Sequence, residues 1–248
     1  MNAIYILWLR QLKRYSRSKS RMLGSLAQPL LYLFAFGFGL GPIFQKAGEG
    51  SYINFLVPGI IAMTILFSGI FSGIEIIWDK QFGFLKETLV APVSRFNIMI
   101  GRTLGGATVS TFQGILVLAI SYLAGFRVQS FVGLILGLVF MALIATLFTA
   151  LGTLIASKLD DMQGFQLIIN FLVMPLFFLS GALFPLQGLP TALMIIASID
   201  PLSYGIDGLR VGLIATSHFG VSLDLLVLGG LTLIFLMVGS WFFERIQI

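Results

Sequence analysis

Long apolar stretches alternate with short charged segments along the whole chain of 248 residues. Six uncharged stretches of 19 to 38 residues lie between Arg21 and Lys46, Glu49 and Glu75, Arg102 and Arg127, Arg127 and Lys158, Asp161 and Asp200, and Asp224 and Glu244. A helix needs about 20 apolar residues to cross the bilayer core. Buried helices of soluble proteins rarely reach that length six times, so the pattern predicts membrane spans. Because the stretches show no two-residue alternation, helices are predicted rather than a barrel.

The stretches predict six transmembrane helices, at about residues 22–44, 53–77, 96–124, 131–156, 164–182 and 223–243. Pro175 is expected to kink the fifth span. Between spans 5 and 6, LPTALMIIASI is too short to cross the bilayer, and DPLSYGIDGLR opens with an Asp-Pro helix start. Two short re-entrant helices on the outer side are therefore expected within 183–222. An alternative with seven spans makes 164–199 a helical hairpin.

The basic residues are distributed unevenly between the two ends of the predicted spans. With the amino terminus inside, 12 of the 15 Lys and Arg residues fall on the inner side and 3 fall outside: Lys46, Arg127 and Arg210. Basic residues concentrate on the cytoplasmic side of membrane proteins. Both termini are thus predicted to be cytoplasmic, and the sequence pI of about 9.7 needs no nucleic acid to explain it.

Residues 1–21 are predicted to form an amphipathic helix on the membrane surface. Its apolar face carries Ile4, Trp8, Leu12 and Tyr15, and its opposite face carries Arg10, Lys13, Arg14, Arg17 and Arg21. This composition is typical of an interfacial helix attracted to anionic lipid. The alternative is a basic tail that only orients the chain.

The segment at 79–95, DKQFGFLKETLVAPVSR, is unusually polar for a chain in which 10% of residues are charged. Its apolar residues Phe82, Leu85 and Leu89 follow helical spacing, and Pro92 is expected to end the helix. An apolar stripe on a cytoplasmic helix predicts docking onto another protein. A helix packed flat on the bilayer is the alternative.

Sequence motifs for catalysis and metal binding are missing. There is no G-x-x-x-x-G-K-[ST] phosphate loop and no H-E-x-x-H motif, cysteine is absent, and His218 is the only histidine. Asp160 and Asp161 are expected to mark a cytoplasmic turn. Glycines paired at four-residue spacing, at 69/73, 101/105, 133/137 and 208/212, are expected to pack helices within one chain. The chain is predicted to be a single non-enzymatic membrane domain over residues 1–248.

The segment GFLKETLVAPVSRFNIMIGR resembles the loop between the second and third spans of the type-two (ABC-2 type) family of ATP-binding-cassette export permeases. SYINFLVPGIIAM resembles the start of the family's span 2, and SGALFPLQGLP resembles the end of its span 5. DPLSYGIDGLR is similar to its outer Pro-x-x-Tyr-x-x-x-x-Arg element, with one extra residue before Arg210. Family members often carry a more acidic and basic run where this chain has Asp79-Lys80-Gln81, which bears on the identity of the partner.

The resemblance implies an all-α polytopic permease of six spans, an amino-terminal interfacial helix and two re-entrant outer helices. It implies a homodimer that works with two copies of a separate ATPase subunit, in the plasma membrane, which is the prokaryotic inner membrane. ATP and Mg would be bound by that partner, and no cofactor is expected in this chain. The exported substrates of the family include hydrophobic drugs, lipids and lipid-linked glycans.

Three groups of site residues are predicted on this basis. Residues that couple to the ATPase are Phe82, Leu85, Lys86, Glu87, Leu89 and Arg95. Residues that line a substrate cavity on the dimer axis, between spans 2 and 5, are Phe67, Phe71, Phe171, Met174 and Phe178. An outer gate is formed by Tyr204, with Asp207 and Arg210 paired on one helix face. An ATP-independent channel or assembly protein, and an intramembrane enzyme, are the alternative functions.

Overall fold

The computed structural model describes residues 3–46, 51–84, 93–187 and 190–244, and these residues are almost entirely helical, without a strand. In chain order the helices are α1 (Ala3–Arg17), α2 (Lys19–Lys46), α3 (Tyr52–Phe71), α4 (Ile74–Gln81), α5 (Arg95–Leu123), α6 (Phe131–Lys158), α7 (Met162–Ile168), a π-helical turn (Ile169–Val173), α8 (Met174–Leu179), α9 (Thr191–Ile199), α10 (Pro201–Ile214) and α11 (Val221–Glu244). This confirms the all-helical fold that the sequence predicts.

Among the described residues, six helical segments are long and apolar enough to cross a membrane: Met22–Phe44, Tyr52–Gln81, Arg95–Leu123, Phe131–Lys158, Met162–Leu179 and Val221–Phe242. They lie within a few residues of the six predicted spans. The pair α9 and α10 is bent by 85° at Asp200, and would be a seventh span only if its two halves were counted together. Since α9 has nine residues, the helical hairpin of the seven-span alternative does not form.

Short polar residues fix where the helices begin. Ser94, Ser130 and Asp161 each accept a hydrogen bond from the backbone N–H three residues later, at the starts of α5, α6 and α7. Asp200 accepts one from the N–H of Leu202 at 2.8 Å, at the predicted Asp-Pro start of α10. These side chains satisfy amide groups that a helix start leaves without partners.

Helix α6 is the centre of the bundle, because α3, α5, α10 and α11 all pack against it. Glycines make the closest approaches. A Cβ on Gly152 would lie 2.5 Å from the carbonyl oxygen of Ile70, and a Cβ on Gly133 would overlap the carbonyl oxygen of Gly212. The predicted glycine pairs thus pack helices within one chain, since only residues without a side chain allow such contacts.

The amino-terminal helix α1 packs against span 3, which is α5. Helix α1 contacts α5 along its length, where Gly101 and Gly105 face Ile4, Leu7 and Gln11. The indole N–H of Trp8 donates to Thr108 at 3.0 Å. The predicted amphipathic helix is present, and part of its apolar face packs in a groove on α5 where glycines lack side chains.

The fifth span is the least regular one. A π-helical turn at Ile169–Val173 interrupts it just before Pro175. Proline has no N–H to donate and its ring crowds the preceding turn, and π turns are a common source of helix bends. The irregularity falls where the kink is predicted, and most of this span is exposed at the surface of the chain.

Candidate functional site

Asp79 is the centre of an ion cluster at the end of the bundle that carries α1. Its Oδ2 accepts from Arg102 of α5 at 2.6 Å, and its Oδ1 accepts from Arg10 of α1 at 3.1 Å. Asp79 and Arg102 are both buried. Buried charges are tolerated only when they are paired and hydrogen-bonded. The last turns of span 2 are therefore tied at one carboxylate to both α1 and span 3.

A second contact repeats this link one turn earlier on α4. Glu75 is buried, and its carboxylate lies 3.6 Å from the guanidinium of Arg14. The same guanidinium stands 5.4 Å from the ring centre of Trp78, within the range of a cation–π contact. The basic face of α1 thus binds acids of α4, whereas the sequence predicted that this face meets anionic lipid.

Lys80 joins the same helix to the end of span 4. Its ammonium group donates to the carbonyl oxygens of Ser157 and Leu159, at 2.8 and 2.9 Å, and contacts Asp160 at 3.0 Å. A cation stabilises the carbonyl groups left unpaired at a helix C-terminus. Asp160 and Asp161 form the turn that the sequence predicted, the first bound to Lys80 and the second capping α7.

The predicted coupling residues fall partly on described positions. Phe82 follows α4 and is 72% exposed, and Arg95 is the first residue of α5. A surface groove of about 730 Å³ runs between α1 and residues 78–84, with the aromatic rings of Trp78, Phe82 and Phe84 on one side and basic residues of α1 on the other. The remaining predicted coupling residues, Leu85, Lys86, Glu87 and Leu89, lie outside the described residues.

The predicted cavity residues separate into two groups. Phe67 and Phe71 line a cavity of about 520 Å³ between α1, α2, α3 and α5. Phe171 and Phe178 lie on the exposed face of span 5, Met174 is half-buried, and none of these three lines that cavity. Span 5 reaches it through Met162 instead. One copy of the chain therefore does not bring all five residues together.

At the opposite end, Asp207 and Arg210 do not form the predicted direct pair. Asp207 accepts from the backbone N–H groups of residues 218, 219 and 220, at 2.7, 2.8 and 3.3 Å, and from the Ser217 hydroxyl at 3.2 Å. Arg210 donates to the carbonyl oxygen of Gly181 at 2.7 Å and stacks over Phe55 at 4.1 Å. The N–H groups that lead into α11 outcompete Arg210, because a carboxylate is satisfied there by several donors at once.

Tyr204 also ties α10 to a neighbouring segment. Its hydroxyl donates to the carbonyl oxygen of Ser198, at the end of α9, at 2.7 Å. The three predicted gate residues thus hold three different pieces of chain: α9, the turn after span 5, and the loop before span 6. A shallow cavity of about 410 Å³ lies beside them, lined by Asp207, Arg210 and His218.

Several polar residues are buried without a clear signal in the sequence. Arg102 occurs at a predicted span end, with no signal that it would pair with Asp79. Gln113 bonds to Tyr15 within the bundle. Asp224 is fully buried in the first turn of α11, and its carboxylate oxygens have no hydrogen-bond partner among the described residues. A helical projection of α5 shows Gln113 on the face of Gly106, which was the only available signal.

Six candidate spans and a sharply bent helix pair among the described residues, with buried ion pairs at one end, define a multi-pass helical membrane protein. The sequence profile of the ABC-2 type transporter family matches residues 2–214, and the chain belongs to this family. It is 30% identical to the transport permease ycf38 of Cyanophora paradoxa, over 98% of this chain and 88% of that protein.

Two further relatives also align with most of this chain. The inner membrane transport permease YadH of Escherichia coli K12 is 31% identical, over 85% of this chain and 82% of its own length. Nodulation protein J of Rhizobium leguminosarum bv. viciae is 28% identical, over 84% of this chain and 80% of its own length. The similarity extends over most of the chain in each case, so it concerns the whole permease fold.

Proposed function

We propose that this chain is the permease subunit of an ATP-powered exporter. Two copies pair, and each binds one copy of a separate ATPase subunit at the end of the bundle that carries α1. The observation that carries the proposal is the ion cluster around Asp79, which links α1, the end of span 2 and span 3 beside the predicted coupling segment. A partner that moves this segment would move three helices together.

Export follows from alternating access between two conformations. ATP and Mg bind to the partner, and closure of the two ATPase subunits displaces the segment after Phe82. The displacement passes through Asp79 and Glu75 to α1 and span 3, and the cavity between the two copies changes the side to which it opens. Phe171 and Phe178 are exposed in one copy, and in the pair they would line this cavity opposite Phe67 and Phe71.

The cargo is a hydrophobic or amphipathic molecule, such as a drug, a lipid or a lipid-linked glycan. The aromatic side chains of spans 2 and 5 supply apolar contact area, and sites of this kind bind ligands largely through apolar walls with few polar groups. The substrate leaves past Tyr204, Asp207 and Arg210. These residues hold the outer segments closed through three separate sets of hydrogen bonds.

We propose that the α1 end lies on the cytoplasmic side of the plasma membrane, because basic residues of membrane proteins concentrate on that side. The chain has no cysteine, so single cysteines report accessibility without background. Ser16→Cys and Thr216→Cys lie at exposed positions at opposite ends. In intact cells a membrane-impermeant thiol reagent should label Thr216→Cys, and should label Ser16→Cys only after the cells are opened. The reverse pattern would place α1 outside.

The function itself is tested by purifying the tagged chain from its own cells and identifying any ATPase that co-purifies with it. The account predicts that the two co-purify and that the complex hydrolyses ATP. Asp79→Asn should lower the coupled hydrolysis, whereas Asp160→Asn, which changes an exposed acid on the same face, should leave it unchanged. A permease that purifies alone, with transport or conductance independent of ATP, would favour the channel alternative.

A further inference from the structure

We infer that the cavity beside α1 is a binding site for an amphiphile whose polar head is uncharged and rich in hydroxyl groups. The cavity has a volume of about 520 Å³ and lies between α1, α2, α3 and α5 of a single copy. Volumes of 300–1,000 Å³ are typical of small-molecule sites. The site lies within one copy and shares Phe67 and Phe71 with the cavity proposed between two copies.

The charge of the walls restricts the ligand first. Most polar residues of the wall are amides and hydroxyls, and among the described residues the only acidic or basic side chain in it is that of Glu75. Arg14 lies 3.6 Å from this carboxylate and thereby neutralises it. Among the side chains that the structure describes, no Lys or Arg lines the cavity, so an anionic head would lack a partner among them. A cationic head would have to displace Arg14 from both Glu75 and Trp78.

Gln113 contributes a buried polar atom without a hydrogen-bond partner to the cavity wall. This residue is 3% exposed, and its Nε2 donates to the Tyr15 hydroxyl at 3.1 Å. Its Oε1 has no partner among the described residues. A buried carbonyl without a partner is costly, and nearly all such groups in native proteins are satisfied. A donor from a ligand would satisfy this one.

Two hydroxyl groups of α3 and its C-terminal cap add further acceptors to the wall. The Thr64 hydroxyl donates to the carbonyl oxygen of Ile60 at 2.8 Å, and the Ser72 hydroxyl donates to that of Gly69 at 2.6 Å. Each hydroxyl has then used its single donor and keeps lone pairs that accept. At these two positions and at Gln113 the wall presents acceptors, and a head with several hydroxyl donors complements them.

Aromatic rings on the same face of α3, between these hydroxyl groups, fit a hydrocarbon tail. Phe67 and Phe71 stack at 6.4 Å between ring centres, and Trp78 borders the cavity at its α4 side. An uncharged polar head at Gln113 with a tail along these rings matches both surfaces. That this ligand is the exported cargo rests on the proposed function, whereas the binding itself does not.

Binding can be measured on the full chain alone, without an ATPase. The variants Trp8→Phe and Trp241→Phe leave Trp78 as the only tryptophan. The chain is placed in phosphatidylcholine vesicles, and the fluorescence of Trp78 is quenched with dodecyl maltoside brominated on its alkyl chain. The same brominated chain on a trimethylammonium head and on a sulfate head provides the charged comparisons. We expect quenching by the maltoside to saturate, at a lower half-saturating concentration than for either charged probe.

Substitutions in the wall then locate the site. Gln113→Leu and Thr64→Val should each raise the half-saturating concentration of the maltoside roughly 2- to 10-fold, the value of one hydrogen bond. The controls Gln166→Leu and Thr146→Val should leave it unchanged. Gln166 bonds only to Asn170 on span 5, and Thr146 makes the same bond to its own helix as Thr64 but outside the cavity. If Gln113→Leu fails to fold, Thr64→Val still decides.

Three results would overturn the inference. Quenching that rises linearly with every probe would show partition into the bilayer only. Tighter saturable binding of the trimethylammonium probe would make this a cation site at Glu75. Saturable binding that neither wall variant weakens would place the maltoside elsewhere. Because no ATPase is present, these results leave the proposed function untouched, and a failure to find a coupled ATPase leaves the binding result untouched.

Discussion

Spans 4 and 5 differ in how they are held, although both are apolar helices long enough to cross a membrane. Span 4 packs against α3, α5, α10 and α11, and Phe148 at its middle is fully buried. Span 5 touches the rest of the chain at a few places only, and Phe171 at its middle is 80% exposed. Span 4 is therefore surrounded by packed helices, whereas span 5 lies at the edge of the bundle.

The difference arises from small residues rather than from apolar character. Lipid tails are as apolar as leucine, so helices associate in a membrane where backbones can approach closely. Span 4 has Gly152 against Ile70 and Gly133 against Gly212. Span 5 has no comparable glycine contact among its described residues, and its π turn and Pro175 weaken its regularity. Its exposed aromatic face is consequently available to a second copy or to cargo.

The largest effect is expected where the bundle is closed by charge. Asp79→Asn leaves Arg102 buried without an acid, and breaking a buried pair in this way costs about 3–5 kcal/mol. Asp160→Asn, at an acid whose side chain is 89% exposed, should cost at most about 1 kcal/mol. Unfolding in mild detergent by increasing amounts of sodium dodecyl sulfate measures both. Equal losses in the two variants would mean that the cluster around Asp79 does not hold the bundle.

The two spans can be compared directly with one type of substitution. Phe148→Ala should destabilise the chain by about 3 kcal/mol, because the packing contacts of a fully buried ring are lost. Phe171→Ala should change stability little, since the ring lies at the surface of the chain. The same unfolding measurement decides. A strong loss from Phe171→Ala in the isolated chain would show that span 5 is part of the bundle.

A smaller effect isolates the role of glycine. Gly152→Ala adds one methyl group that would meet the backbone of Ile70, and overpacking of this kind costs about 1–3 kcal/mol. Gly229→Ala adds the same group to α11, where no atom lies within 4 Å of the new Cβ. This control should be neutral or slightly stabilising, since alanine favours helix. Similar stabilities of the two variants would contradict close packing at Gly152.

The six spans follow from the sequence because uncharged apolar stretches of about 20 residues are rare outside membrane helices. The cap residues Asp161 and Asp200 and the bend before α10 follow from local chemistry, which the sequence carries directly. The pairing of Asp79 with Arg102 does not, because it joins residues on two helices whose relative rotation no local pattern specifies. The binding of Asp207 to backbone N–H groups was missed for a related reason: almost every residue carries such a donor, so no side-chain pattern reveals which ones a carboxylate will bind.

The smallest of these effects concerns the outer segments. Asp207→Asn loosens the loop before α11, and Arg210→Gln loosens the turn at Gly181. Because the two side chains hold different segments, their effects on coupled export should add in the double variant. Export measured in vesicles containing the permease and its ATPase tests this. If export by the double variant is no worse than export by either single variant, the result would support the direct Asp207–Arg210 pair that the sequence predicted.

The central claim is that the ATPase binds at the α1 end, and crosslinking tests it most directly. Benzoylphenylalanine is placed at Phe82 or at Phe131 in otherwise unchanged chains, because these phenylalanines are 72% and 76% exposed at opposite ends of the bundle. After irradiation of cells that also produce the ATPase, the account predicts an adduct between the two proteins from position 82 and none from position 131. An adduct from position 131 alone, or none from position 82 in a complex that still co-purifies, would contradict it.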